Sequence, residues 1–243
     1  MSYRFARMAL GDAMAVALAG VLAGCGLISS DVTDFSIKLP DKKFSIDATG
    51  WQIDQTQASQ LLAMSCASAP TVCNTAAQNV CSGASCSGTC NASKTCELSL
   101  DVSVVQPVDL LMEAPDLKTV SDQSVVKVAI DSVTFEVTTN NLNIDTPDIA
   151  LYVAPMSVVK ADPTSTQIKQ IGTIPAVAAG HTTAAPQPIT FTATGKAELQ
   201  DIMGSFKTPF NILIGASILV DKNSKVPTGR LDAVVHVIGH AGL

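Results

Sequence analysis

The sequence predicts a mainly β domain, an antiparallel sandwich carrying one or two short helices and a disulfide-rich insertion, with immunoglobulin-like topology among the arrangements it allows. Three observations predict it. Glu97 to Val104 alternates, with Leu98, Leu100, Val102 and Val104 on one parity and Glu97, Ser99, Asp101 and Ser103 on the other, the mark of a strand with one wet face. The same period of two recurs in short segments separated by turn residues, which is the pattern of a sandwich. Six cysteines then fall in one window, so that 66–96 reads as an insertion between strands of one domain spanning 34–243.

Taken in order, Phe35, Ile37 and Leu39 share a parity and open the strands. Asp54 to Met64 suits a short helix, weakened by its glutamines and serine. From Val126 to Val137 the apolar parity flips between Ile130 and Val133, which predicts a bulge or turn at Asp131-Ser132. Ile149, Leu151 and Val153 give a further strand. Gly172 to Pro188 is rich in Ala, Gly, Thr and Pro and reads as a long loop or disordered excursion. Ile189, Phe191 and Ala193 alternate with Thr190, Thr192 and Thr194 as another strand. Leu199, Ile202, Met203 and Phe206 fall at helical spacing, a helix expected to plug one end of the sheets. Phe210 to Val220 is apolar on both parities, as a central strand covered on both faces would be. After a polar Asp221 to Gly229 connection, Arg230 to Ile238 closes the sheet.

The amino terminus carries a different signal. Arg4 and Arg7 precede an apolar stretch from Ala13 to Ala23 that ends in Leu22-Ala23-Gly24-Cys25. The stretch is too short to span a bilayer and has the layout of a secretory signal. It resembles a bacterial lipoprotein signal, with Asp12 a departure at the start of its apolar region. The resemblance implies lipid transfer to the Cys25 thiol, cleavage before it and acylation of the new terminus. Residues 1–24 are then removed and 25–33 form a lipidated tether. Two or three acyl chains hold a protein on a membrane essentially permanently. Gly26, where an Asp would favour inner-membrane retention in enteric bacteria, leans the resemblance towards the outer membrane.

Composition narrows the function classes. Loss of 1–24 takes two of the 15 basic residues and one of the 21 acidic ones, moving the net charge from −6 to about −7. The remaining bases are scattered singly apart from Lys42-Lys43, read as a solvated turn, so phosphate neutralisation is poorly served and no nucleic-acid partner is expected. Trp51 is the only tryptophan, and Tyr152 is the only tyrosine beyond the signal, a poor supply for a stacking platform.

Cys66, Cys73, Cys81, Cys86, Cys90 and Cys96 are an even number in a chain addressed to an oxidising compartment, read as three disulfides among 15 pairings. Their small polar neighbours leave the segment little to bury, so it depends on its staples. A metal site would need converging Cys-x2-Cys pairs, and none is present. Asp145 and Asp148, near Asn140, Asn141 and Asn143, supply the hard oxygens of a calcium turn, while turn capping alone also explains them.

No recognisable catalytic constellation is present. His181 lies in the expected loop. His236 and His240 share a strand face about 13 Å apart, too far to chelate one ion without partners from elsewhere. Three readings follow, with no cofactor expected. The first is a non-catalytic binding or scaffold module on the bacterial envelope, meeting a protein or other envelope component through its stapled segment. The second is a carrier of lipid or another apolar ligand, with Phe210 to Val220 lining a cavity. The third is an envelope enzyme using His236 or His240.

Overall fold

The computed structural model describes residues 35–242 apart from 83–84, 121 and 123–125. They form two antiparallel sheets packed face to face. The first sheet is built around a long C-terminal strand, β11 (Arg230–Gly242), whose odd-numbered residues from Leu231 to Ala241 are buried. On one side of it lie β1 (Phe35–Lys38) and β2 (Lys42–Asp47), two halves of one edge broken at Pro40-Asp41. On the other side runs β5 (Lys127–Asn140), which pairs in turn with β8 (Gln187–Pro188). The second sheet runs β3 (Ser85–Cys90), β4 (Cys96–Val108), β10 (Phe210–Val220), β6 (Ile149–Pro155), β7 (Lys169–Ile174) and β9 (Thr190–Phe191). This order differs from the ABED and CFG sheets of an immunoglobulin sandwich.

The alternation read in Glu97 to Val104 becomes β4, with Leu98, Leu100 and Val102 buried against the opposite sheet. β10 is central, and the expected double cover holds over its first half, Phe210 to Gly215, while Ser217 and Leu219 are exposed on the outer face. Its even residues, Phe210, Ile212, Ile214 and Ile218, enter the main core, and Leu213 on the other face packs with Tyr152, Ala154 and Ile168. That second cover is a strap, residues 156–168, folded over the outer face and fixed where Ala161 N donates to Ser103 Oγ at 2.8 Å. The parity flip in β5 is a bulge at Asp131, since Ser132 faces Ile238 while Ile130 faces Gly239.

Several expectations are corrected. Lys42 is no solvated turn residue: it sits in β2 with its side chain 8% exposed, its Nζ 2.7 Å from Glu113 Oε1 and 3.2 Å from the Pro107 carbonyl. The stretch 172–188 is not one loop. Its start belongs to β7, and Asp145, Thr146 and Asp148 accept the backbone N–H groups of Ala179, Val177 and Ala176 at 2.8–2.9 Å. The strand expected over 189–193 is cut short, because the chain crosses there from β8 on one sheet to β9 on the other.

Helices outnumber the expected one or two. α1 (Gln55–Ala63) and α4 (Gly195–Gly204) fall where the periodicity placed them, and α2 (Val72–Ala77) and α3 (Leu110–Glu113) are additional. α4 packs against β5 and β7 and buries Leu199 and Met203 between the sheets.

The sandwich has two distinct ends. At one, β1 begins at Phe35 beside Ala241, and β5 begins at Lys127 opposite Gly242. At the other lie the 221–229 connection and the β3–β4 hairpin, where Cys90 faces Cys96.

Candidate functional site

Disulfides organise the Cys90 end. Cys66 pairs with Cys90, Cys73 with Cys96, and Cys81 with Cys86. The first two tie the loop after α1, and α2 itself, to the paired ends of β3 and β4. Contrary to the sequence expectation, the segment has much to bury: Cys66, Cys73, Ala77, Val80 and Cys96 belong to the main core. The sulfur atoms of Cys66, Cys73 and Cys96 lie within 4.8 Å of one another, each already bonded in a disulfide. Polar side chains of the loop and hairpin, among them Ser68, Thr71, Asn74, Ser93 and Lys94, face solvent. The result is a rigid, small-featured polar surface.

Beside this surface a groove of about 930 Å³ crosses the outer face of the second sheet. Its floor is made of small residues from adjacent strands, Ser103 of β4, Gly215 and Ser217 of β10 and Ala150 of β6, in register through the pairs Ser103–Gly215 and Gly215–Ala150. The strap overhangs it with Lys160, Ala161, Asp162 and Pro163, and Trp51 and Asp47 close the side nearest β2. Gly215 is required by the close approach of the strap: a Cβ there would stand 2.7 Å from the Ala161 methyl. Trp51, the only tryptophan, and Tyr152, the only tyrosine besides Tyr3, therefore both line this groove.

The groove is acidic. Hydrogen bonds from the Thr49 hydroxyl and backbone hold the Asp47 carboxyl below its usual range, and Thr164 does the same for Asp162, its hydroxyl first and its N–H second. The carboxylate of Asp101 has no hydrogen-bond partner among the described residues. Burial pushes the Tyr152 phenol above its ordinary range, keeping it neutral. Among the walls Lys160 is the single base.

No family model, curated protein or solved structure matches the chain. Function must therefore be argued from the sites themselves.

The sequence candidates are distributed as follows. Cys25 lies outside the described residues. Asp145 and Asp148 each commit an oxygen to a backbone amide and open on separate depressions, Asp148 on the acidic groove. Asn140, Asn141 and Asn143 likewise tie the 178–181 and 226–230 segments to β5 and its following turn. The histidines acquire partners that sequence spacing could not supply. His236 Nδ1 lies 2.9 Å from Asp41 Oδ1, and its Nε2, buried and without a hydrogen bond, is 3.8 Å from Glu136 Oε2. His240 Nδ1 is 3.0 Å from Asp131 Oδ1, at the bulge. The two carboxylates at His236 address opposite ring nitrogens, so the trio does not converge on one point.

Asp41 was missed because it belongs to a break in the edge strand. Asp101 and Lys160 were missed because each is unremarkable in its own segment. The isolated Trp51 and Tyr152 were the available signal, two rare aromatics in different elements that both line the groove.

Proposed function

We propose that the chain is a lipid-anchored protein of the bacterial envelope whose domain works by non-catalytic binding or scaffolding. The observation that carries this reading is the polarity of the sandwich. β1 begins at Phe35, where a tether from Cys25 would join the domain, and the disulfide-clamped surface stands at the other end of the sandwich. A surface already ordered by cross-links loses less entropy on binding. The leaning towards the outer membrane rests on Gly26 alone.

The carrier reading keeps the closeness of the tether to the membrane and loses part of its other motive. The first half of the apolar β10 is packed on both faces, and the space bounded by Phe44, Phe135, Ile149, Ile214 and Leu231 is about 20 Å³, room for about one water. The enzyme reading keeps His236 with its two acidic neighbours and His240 with Asp131 as its footholds.

Expression of the full-length chain in a Gram-negative host tests the proposal. The protein should fractionate with membranes and carry a diacylglyceryl mass on its first mature residue, and Cys25→Ser should release it to the soluble periplasm. An unmodified, soluble wild-type protein would overturn the anchoring.

A further inference from the structure

Two of the three bridges meet at one point. The Sγ atoms of Cys66, Cys73 and Cys96 lie within 4.8 Å of one another, although Cys66 is bonded to Cys90 and Cys73 to Cys96. The Cys66 sulfur therefore stands beside a disulfide that is not its own. Backbone pairing holds it there independently of its bridge. Residues 64–66 run antiparallel to 94–96: Ser65 pairs with Thr95, Cys66 N donates to the Lys94 carbonyl at 3.0 Å, and Cys96 N donates to the Met64 carbonyl at 3.0 Å. Cys90 faces Cys96 in the last pair of the β3–β4 hairpin. Exposure is graded across these four residues. Cys66, Cys73 and Cys96 are at most 1% exposed, whereas Cys90 is partly open and follows the exposed Thr89. A thiolate arriving from solvent meets the cluster at Cys90. Cys81–Cys86 is joined by no third sulfur in this way among the described residues.

We propose that the two neighbouring bridges form a thiol–disulfide exchange site for an outside dithiol, two adjacent thiols on one partner molecule. Exchange runs by attack of a thiolate on one sulfur of a disulfide, through a mixed disulfide. A thiolate of the partner attacks Cys90 Sγ, forms a mixed disulfide there and releases the Cys66 thiolate. Cys66 attacks the adjoining bridge at Cys73 or Cys96, bonds to that sulfur and releases the other, which takes up a proton. The partner's second thiolate then attacks its own sulfur in the mixed disulfide and departs as an internal disulfide, and Cys90 takes up the second proton. The partner loses two electrons and two protons. The chain is left with one bridge, from Cys66 to Cys73 or Cys96, and two thiols, one of them buried. This activity goes beyond the binding reading and is independent of the anchoring, since Cys25 enters no step.

The full-length chain carrying Cys25→Ser, which removes the seventh cysteine, is treated with one equivalent of dithiothreitol, quenched in acid, capped with a maleimide and mapped by mass spectrometry. A link from Cys66 to Cys73 or Cys96, with Cys90 capped, is expected in about a tenth of the molecules or more. Bridges that open only in their native pairs, with no such link, overturn the proposal. A second comparison sets Cys90→Ser against the double variant Cys66→Ser, Cys90→Ser in the same background. Both lack the first bridge and so lose the same staple, and only the single variant keeps the Cys66 thiol. With excess dithiothreitol the Cys73–Cys96 link should disappear about tenfold faster in the single variant, and Cys81–Cys86 at the same rate in both. Equal rates for Cys73–Cys96 overturn the proposal, and so does a matching acceleration at Cys81–Cys86, which reports loosened packing instead of a delivered thiolate.

Discussion

At the scale of single residues, the structure turns several polar side chains into ties. Lys42 is the clearest. A buried ammonium is tolerated because Glu113 and the Pro107 carbonyl surround it, and such a pair punishes the loss of one partner more than the loss of its charge altogether. Glu113→Gln should therefore destabilise the fold by about 2 kcal/mol, with Glu113 partly open to solvent, and Lys42→Met should cost less. Urea unfolding of the two variants checks the order, and an equal or reversed order would refute it. Asp47, Asp54, Asp162 and Asp221 behave differently. Each is held below the usual 3.8, by the Thr49 hydroxyl, the Gln57 N–H, the Thr164 hydroxyl and the Ser224 hydroxyl respectively. A lowered carboxyl contributes stability that is complete above its unfolded value and lost as pH falls through its folded one. Their contribution should be flat above about pH 5 and vanish progressively below about pH 4. Comparison of urea midpoints at pH 5 and pH 3 reads this, and Asp54→Asn should reduce the difference.

At the scale of elements, the cross-links and the glycine between them act together. Gly88 of β3 lies against the Cys73 carbonyl of α2, where a Cβ would collide. Gly88→Ala should push α2 off the sheet at a cost of about 1–3 kcal/mol, visible as a lower Tm with all three disulfides still formed. The bonds Cys66–Cys90 and Cys73–Cys96 close separations of 24 and 23 residues, against 5 for Cys81–Cys86. Loop-closure entropy assigns about 3 kcal/mol to each long bridge and about 2 to the short one. The paired Cys73→Ser, Cys96→Ser variant should thus melt well below the paired Cys81→Ser, Cys86→Ser variant, further so because Cys73 and Cys96 are core residues. These elements also show what a sequence can reveal. β4 and β10 were legible because burial on one face, or on both, writes its period directly into the residues. The bulge at Asp131 was legible because a bulge shifts that period by one. β2 was obscured by Lys42, whose burial depends on a partner 71 residues away. β7 and β8 are too short or too polar to carry a period, and the period read over 189–193 hid the crossing of the chain from β8 to β9. The groove was illegible for a related reason: its walls come from β2, β4, β6, β10 and the strap, and only register brings Ser103, Gly215 and Ala150 into one row.

At the scale of the whole molecule, the first strand has a single partner, and it is the last one. β1 and β2 pair with β11 alone within their sheet, and β11 also supplies the long partner of β5. Deletion of Arg230–Leu243 should therefore leave a chain that is not merely shortened but unfolded, digested throughout by a protease concentration that leaves the full-length protein intact. A resistant core covering the second sheet would refute this. The pairing also sets an order of events. Contacts spanning nearly the whole chain are slow to form, and here they cannot begin until the final residues have been synthesised. Completion of the disulfide-bonded core further waits for an oxidant. The sheet holding β1, β2, β5 and β11 is therefore completed late in synthesis, and the staples at Cys66–Cys90, Cys73–Cys96 and Cys81–Cys86 set their own later deadline, the meeting of the chain with an oxidant.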